Sequence, residues 1–370
     1  METARRYDID WLRVIAIALL LIYHIAIIFQ PWAMFVGFVR SERPLEGLWT
    51  PMTMLNVWRI PILFFVSGMG LYFAMRKRNW KQLIGERTRR ILIPFVFGFV
   101  AISPLHMYLF QAINEVPLGY YPHAGHLWFL GNIFCYVLLF LPVFYGLKNR
   151  GEGRFKKAWG RLLAHPGGPL LVSVFFMLEA TLVKPQIFSL YAETWHGFFL
   201  GALAFFFGYL FMYGGPTFWQ TVKKWKWGYL LLALGLYALR YIQFNREAPG
   251  YLMALESNCW IYAIFGLVHH YLNHPSRVLA YLSQAAYPVY IIHMFVMFLG
   301  AWWLLRLPMH PMAQFVCLTV FTFIISYLLY ELLIRKVGVL RPLFGLQWRS
   351  KKQPTEKLTI KEPTLAKKTN

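Results

Sequence analysis

Charge is scarce in this 370-residue chain, and negative charge is scarcer. Only 14% of residues are charged, with 15 Asp and Glu against 37 Lys and Arg. A soluble domain averages about 25% charged residues, which excludes an ordinary water-soluble enzyme. Cysteine is nearly absent too. Cys135, Cys259 and Cys317 lie in or beside apolar runs, with neither metal-ligand spacing nor a disulfide framework. They read as core or lipid-facing residues, and no metal is expected. What fills the chain instead is apolar: 58% hydrophobic and 19% aromatic, at a mean hydropathy of +0.47. The class this implies is an all-α, polytopic transmembrane bundle.

A spanning helix needs roughly 20 apolar residues. Apolar runs near 14–29, 55–75, 91–111, 125–147, 170–187, 197–213, 228–244, 251–271, 279–299 and 312–334 predict about ten spans. The short loops between them leave no room for a large extramembrane domain. The first run follows a polar head and has no small-x-small cleavage site, so it is expected to stay as the first helix. Residues 1–346 read as one transmembrane unit. Residues 347–370, rich in Lys, Thr and Pro, read as a disordered basic tail beside the membrane.

In a soluble chain the net charge of +22 would point to nucleic acid. Here it reads as topology and as attraction to anionic lipid, and no nucleic-acid partner is expected. Arg76, Lys77, Arg78, Lys81, Arg87, Arg89 and Arg90 follow the second run, and Lys148, Arg150, Arg154, Lys156, Lys157 and Arg161 follow the fourth. Lys223, Lys224 and Lys226 follow the sixth, and Arg335, Lys336 and Arg341 follow the last. In the alternate loops Arg40 and Arg43 face Glu42 and Glu46, and Arg246 faces Glu247. With ten spans every basic loop falls on one side with both termini, and the positive-inside rule makes that side the cytoplasm.

A titratable side chain inside a span is costly and marks a candidate site. Asp10, Arg13 and His24 share the first helix. Eleven steps of 100° bring His24 back to the face of Arg13, roughly 16 Å along the axis, and Asp10 lies within ion-pair reach of Arg13. The bland alternative makes Asp10 and Arg13 interfacial anchors and His24 an interhelical hydrogen-bonder. Arg59 opens the second span, and His126 sits beside Trp128 at the start of the fourth. Glu179, His196, Glu256, His293 and Glu331 lie in or at the edges of other spans. Arg87, Arg89 and Arg90 precede Ile91-Leu92-Ile93-Pro94. They read either as a topology determinant or as a phosphate site at a helix N-terminus.

These segments resemble the acyltransferase-3 family of membrane proteins. Arg6-Tyr7-Asp8-Ile9-Asp10-Trp11-Leu12-Arg13, ten residues and then His24 resembles its Arg-x10-His signature. Leu63-Phe64-Phe65-Val66-Ser67-Gly68 is similar to the "FF-x-SG" motif of the second helix, and Arg87-x-x-Arg90 with Pro94 to the "R-x-x-R-h-h-h-P" of the third. His126-Leu127-Trp128-Phe129-Leu130 is similar to the "HLWFL" of the glucan biosynthesis protein C-like branch. Residues 286–293, which include Tyr290 and His293, are similar to the late-helix motifs, as is Tyr330-Glu331; Arg341-Pro342-Leu343-Phe344-Gly345 is similar to the close of that branch. The chain departs from the O-antigen-acetylating branch at Gly131-Asn132-Ile133, where that branch carries a Glu.

The resemblance implies an enzyme of the cell (inner) membrane that moves an acyl group, acetyl or succinyl, from cytoplasmic acyl-CoA to a hydroxyl of an extracytoplasmic glycan or related acceptor. No hydrolase domain of the SGNH type is expected beside it, so the membrane unit would complete the transfer or hand off to a second protein. His24 would be base or acyl carrier, with Arg13 and Asp10 beside it. Arg87, Arg90 and Ser67 would hold acyl-CoA; Arg59, His126, Trp128, Tyr290 and His293 would meet the acceptor. The rival readings are an exporter of a glycan or lipid-linked acceptor, without covalent chemistry, and a non-catalytic partner of a polymer synthase.

Overall fold

The computed structural model describes residues 5–151 and 153–348, and the basic tail from 349 onward lies outside the described residues. The described residues form helices and no strands. We number the long helices α1 (Tyr7–Ile28), α2 (Arg59–Arg76), α3 (Trp80–Ile113), α4 (Trp128–Asn149), α5 (Arg154–Leu163), α6 (Gly167–Val183), α7 (Trp195–Tyr213), α8 (Thr217–Gln243), α9 (Gly250–Tyr271), α10 (Arg277–Leu304) and α11 (Pro311–Ile334).

Among the described residues eight helices are long and apolar enough to cross a membrane, or nine if the bent pair α5 and α6 counts as one span. Length and composition alone do not reach the expected figure of about ten, for two physical reasons. The run near 228–244 belongs to α8, whose apolar stretch is bounded by Lys223, Lys224 and Lys226 on one side and Arg240 on the other. The run near 170–187 is shorter than expected, because α6 ends at Val183. The basic segment before it is a helix rather than a loop: α5 is strongly amphipathic, turns 100° from α6, and anchors the Trp159 indole N–H on the Leu210 carbonyl at 2.9 Å. A cationic amphipathic helix of this kind lies along a membrane surface.

Burial separates central from peripheral helices. The spans that end in α2 and α10 are 78% buried, whereas α11 is 28% buried. On α11 the exposed residues Val316, Val320, Ile324 and Leu328 recur every fourth position, forming one apolar stripe suited to lipid. At the centre α2 and α7 meet almost backbone to backbone. A methyl on Gly68 would lie 1.9 Å from the Phe205 carbonyl oxygen, and one on Gly208 would lie 2.1 Å from that of Phe65. The glycine of the FF-x-SG motif is thus required by packing, as at small-residue helix crossings in membranes.

Helix α3 begins at Trp80, eleven residues before the expected run. Asn79 caps it: its Oδ1 accepts the Gln82 N–H at 2.9 Å, and Gln82 Oε1 accepts the Asn79 N–H at 3.2 Å. The helix widens into π turns at Thr88–Leu92 and Gly98–Ile102, ahead of Pro94 and Pro104. Proline has no N–H and its ring crowds the carbonyl four residues back, and a widened turn relieves that conflict. The Tyr120 hydroxyl donates to the Val100 carbonyl that Pro104 leaves without a helical donor, at 2.8 Å.

Candidate active site

Two cavities meet inside the bundle. One, of about 690 Å³, is lined by Arg13, Arg87, Arg90 and Arg341, then by Ser67, His126 and Tyr290 further in. The other, of about 620 Å³, is lined by Trp32, Trp49, Asn56 and Arg59 together with residues 185–192. His24, Ile60 and Trp128 line both. Helix α1 runs from Arg13 past His24 to the loop that holds Trp32, so the cavities open toward its opposite ends.

The first cavity is built for anions. Four arginines line it and no Asp or Glu does. Asp10 touches Arg13 at 3.6 Å and Arg5 at 2.9 Å, and Glu86 bridges Arg87 at 3.2 Å and Arg90 at 3.1 Å. Arg341 donates to the carbonyls of Arg335 at 2.9 Å and Gln347 at 2.8 Å. One part of the expectation fails here: Arg87 and Arg90 lie inside the continuous helix α3, not at its start, so their backbone N–H groups serve the helix and only their guanidinium groups are offered. The Ser67 hydroxyl donates to the Leu63 carbonyl at 2.8 Å, leaving its oxygen as an acceptor in this cavity. Asp10 lies roughly 21 Å along α1 from His24, so it positions Arg13 and does not touch the imidazole.

The state of His24 follows from its partner. His293 Nδ1 lies 2.7 Å from the Tyr290 carbonyl, which can only accept, so Nδ1 carries the proton. In the neutral ring Nε2 is then a lone pair, and it accepts from His24 Nδ1–H at 2.9 Å. His24 Nε2 remains a free lone pair on a ring that lines both cavities. Packing reinforces this arrangement: the two rings stack at 5.2 Å with an 11° interplanar angle. His126 is locked in turn. Its Nε2–H donates to the Tyr290 and Ile291 carbonyls at 3.1 and 3.2 Å, while the Tyr290 hydroxyl donates to the His126 carbonyl. Tyr290 is therefore occupied in holding two histidines, and its hydroxyl proton is committed to the His126 carbonyl.

Two further imidazoles, missing from the expected site, extend this group. Ring centroids step from His293 to His126 at 4.9 Å, to His106 at 6.0 Å and to His123 at 5.2 Å. His106 was legible as a histidine inside an apolar run, and His123 as the first member of the pair His123-x-x-His126. His123 lies in the loop before α4, where burial pushes its pKa down and Glu193 pulls it back up.

Other expected candidates resolve into structural pairs away from this centre. Glu179 bonds His196 at 2.9 Å, Arg240 bonds Glu256 through two nitrogens at 2.7 and 2.9 Å, and Glu331 bonds Arg335 one turn on at 2.7 Å. Asp8, not Asp10, is the fully buried carboxylate of α1. Arg6 and His269 each reach it at 2.6 Å.

The acyltransferase-3 family model, described as an acyltransferase domain, matches residues 6–331. No curated protein and no solved structure matches the chain. The matched stretch takes in every cavity-lining residue named above except Arg341, and the chain belongs to the acyltransferase-3 family as a multi-pass membrane acyltransferase.

Proposed function

We propose that this acyltransferase takes its acyl group from acyl-CoA at the cytoplasmic face and delivers it to a hydroxyl of an extracytoplasmic glycan or related acceptor. One observation carries the reading: two cavities reach His24 from opposite ends of α1. The arginine-lined cavity suits the phosphates of coenzyme A, since guanidinium groups bind phosphate through paired, charge-assisted bonds. In this reading α6 and α8 cross the membrane as well, and the basic loops and both termini face the cytoplasm. The aromatic cavity suits a sugar, with Trp32 and Trp49 packed edge to face at 4.5 Å on its wall.

The chemistry uses one proton and returns it. His24 Nε2 takes the proton of the acceptor hydroxyl as that oxygen attacks the thioester carbonyl. The tetrahedral adduct then expels the coenzyme A thiolate, which receives the same proton. His293 stabilises the imidazolium by accepting from Nδ1 throughout. No metal enters any of these steps.

The test is transfer by the purified protein in nanodiscs, with [14C]acetyl-CoA or [14C]succinyl-CoA and surface glycans extracted from cells lacking it. Label on the glycan supports the reading. Glycan passage across a proteoliposome membrane without label would establish the exporter instead.

A further inference from the structure

We infer that Arg59 is a carboxylate site: the outer cavity takes a substrate bearing a negative charge, brought either by an acidic sugar acceptor or by the far end of a dicarboxylic acyl group. The inference rests on the proposed transfer reaction and adds its substrate class.

The strongly buried charges of the described residues meet an opposite charge or an imidazole: Asp8 has Arg6, Arg240 has Glu256, and Glu179 has His196. Arg59 has no such partner. It is 4% exposed, and no carboxylate of the described residues forms an ion pair with it. Its Nε and Nη1 are shielded from water without a hydrogen-bond partner. What it has is the face of Tyr23, 3.4 Å below the guanidinium carbon. That cation–π contact supports the charge without neutralising it. Glu247, the carboxylate that lines the same cavity, makes no ion pair with it.

A buried, uncompensated cation is among the costliest features a fold can carry. Asp8, Arg240 and Glu256 are paired with good geometry, so the missing carboxylate at Arg59 points to a ligand. A guanidinium presents a planar fork matched to a carboxylate. A second unsatisfied group narrows the ligand further. Asn56 Oδ1, buried and lining the same cavity, has no donor. It fits a hydroxyl beside the acid.

The test pairs two donors, acetyl-CoA and succinyl-CoA, with two acceptors, a neutral glucose oligosaccharide and the same oligosaccharide ending in glucuronate. The reading is kcat/KM for the parent and for Arg59→Gln in nanodiscs. The expected result is a fall of roughly 10–150-fold in the charged-over-neutral preference, the worth of a hydrogen bond to a charged group. A fall that follows glucuronate assigns the charge to the acceptor, and one that follows succinyl assigns it to the acyl group; either supports the site. Equal effects on all four combinations overturn it.

Thermal melting supplies a readout that needs no turnover. Free glucuronate or succinate should raise the melting temperature of the parent but not of Arg59→Gln, and glucose should raise neither. Without ligand the variant should melt at or above the parent, because it has lost an unpaired charge. A variant that melts well below the parent, or fails to fold, makes Arg59 structural and overturns the inference. Stabilisation of the parent by acid with no transfer from any donor would fault the reaction while leaving the site standing.

Discussion

Replacing His293 by leucine removes the acceptor that holds the proton on His24 Nδ1. His293 is completely buried and lines neither cavity, so the change acts on the base rather than on bound substrate. A neutral hydrogen bond is worth about 1 kcal/mol net in water and about 4 kcal/mol or more in an apolar medium. The bias toward the Nδ1–H tautomer at 2.9 Å from His293 therefore lies between about 5-fold and about 10³-fold. A general base contributes roughly 10²–10⁴ in all, which sets the ceiling. His293→Leu should lower kcat by about 5–10³-fold with little change in KM for either substrate. Glutamine offers an oxygen to His24 and an N–H to the Tyr290 carbonyl, so His293→Gln should recover most of the loss. The assay is thiol release from acyl-CoA by purified protein in nanodiscs, at matched abundance. The double variant with His24→Ala carries the sharpest information. If His293 acts only through His24, the double variant is no slower than His24→Ala alone. Additive losses, or a glutamine variant as poor as leucine, would refute the tautomer argument.

His24→Ala and His24→Gln should both lose at least roughly 10²-fold in transfer, because glutamine replaces a hydrogen bond but not a base; near-parental activity in His24→Gln, measured at equal membrane abundance, would make this histidine scaffold. Arg87→Ala and Arg90→Ala should each raise KM for acyl-CoA about 10–100-fold, the worth of a charge-assisted bond, and the difference from parent should shrink in high salt; unchanged coenzyme A binding in both would leave these arginines as topology determinants. Gly68→Ala should lower melting temperature and insertion yield, since its Cβ would meet the Phe205 carbonyl at 1.9 Å and overpacking costs typically about 1–3 kcal/mol; a parent-like melt would show that α2 and α7 can move apart freely.

The helical class, the shared face of Arg13 and His24, and the Gly68 motif were legible because each depends on local spacing. What the chain could not disclose was pairing across long separations. Asp8 and Asp10 look equivalent in sequence, yet only Asp8 meets His269, which lies 261 positions away. Glu179, Glu256 and Glu331 read as candidate acids until their partners His196, Arg240 and Arg335 are in view. The start of α3 was obscured for a different reason. Hydropathy marks where the chain enters apolar surroundings, whereas the Asn79 cap marks where the helix begins, and between them the arginines are already helical. At α8 composition is the less decisive guide, because the flanking lysines and Arg240 dilute an apolar stretch inside a 27-residue helix.

A cavity on each side of one imidazole raises the question of why the membrane does not leak through it. The inner wall supplies an answer in charge. Arg13, Arg87, Arg90 and Arg341 line that cavity while Asp10 and Glu86, which offset part of their charge from behind, do not, so a proton or metal cation entering from this side meets a repulsive potential that low-dielectric walls focus. Ile60 and Trp128, shared by both cavities, add apolar bulk at the junction. In the proposed reaction the anion at the inner wall is a large one, held by several guanidinium groups at once, whose thioester end alone reaches His24. The proton cycle fits the same constraint: His24 returns to the thiolate the proton it takes from the hydroxyl, so no net charge need cross at turnover. Under that proposal the arginines would serve two ends with one charge pattern, recruiting the donor and excluding cations. Neutralising two of them together should weaken donor binding and raise proton conductance in proteoliposomes, whereas neutralising the outer Arg59 should leave conductance from the inner side as it was.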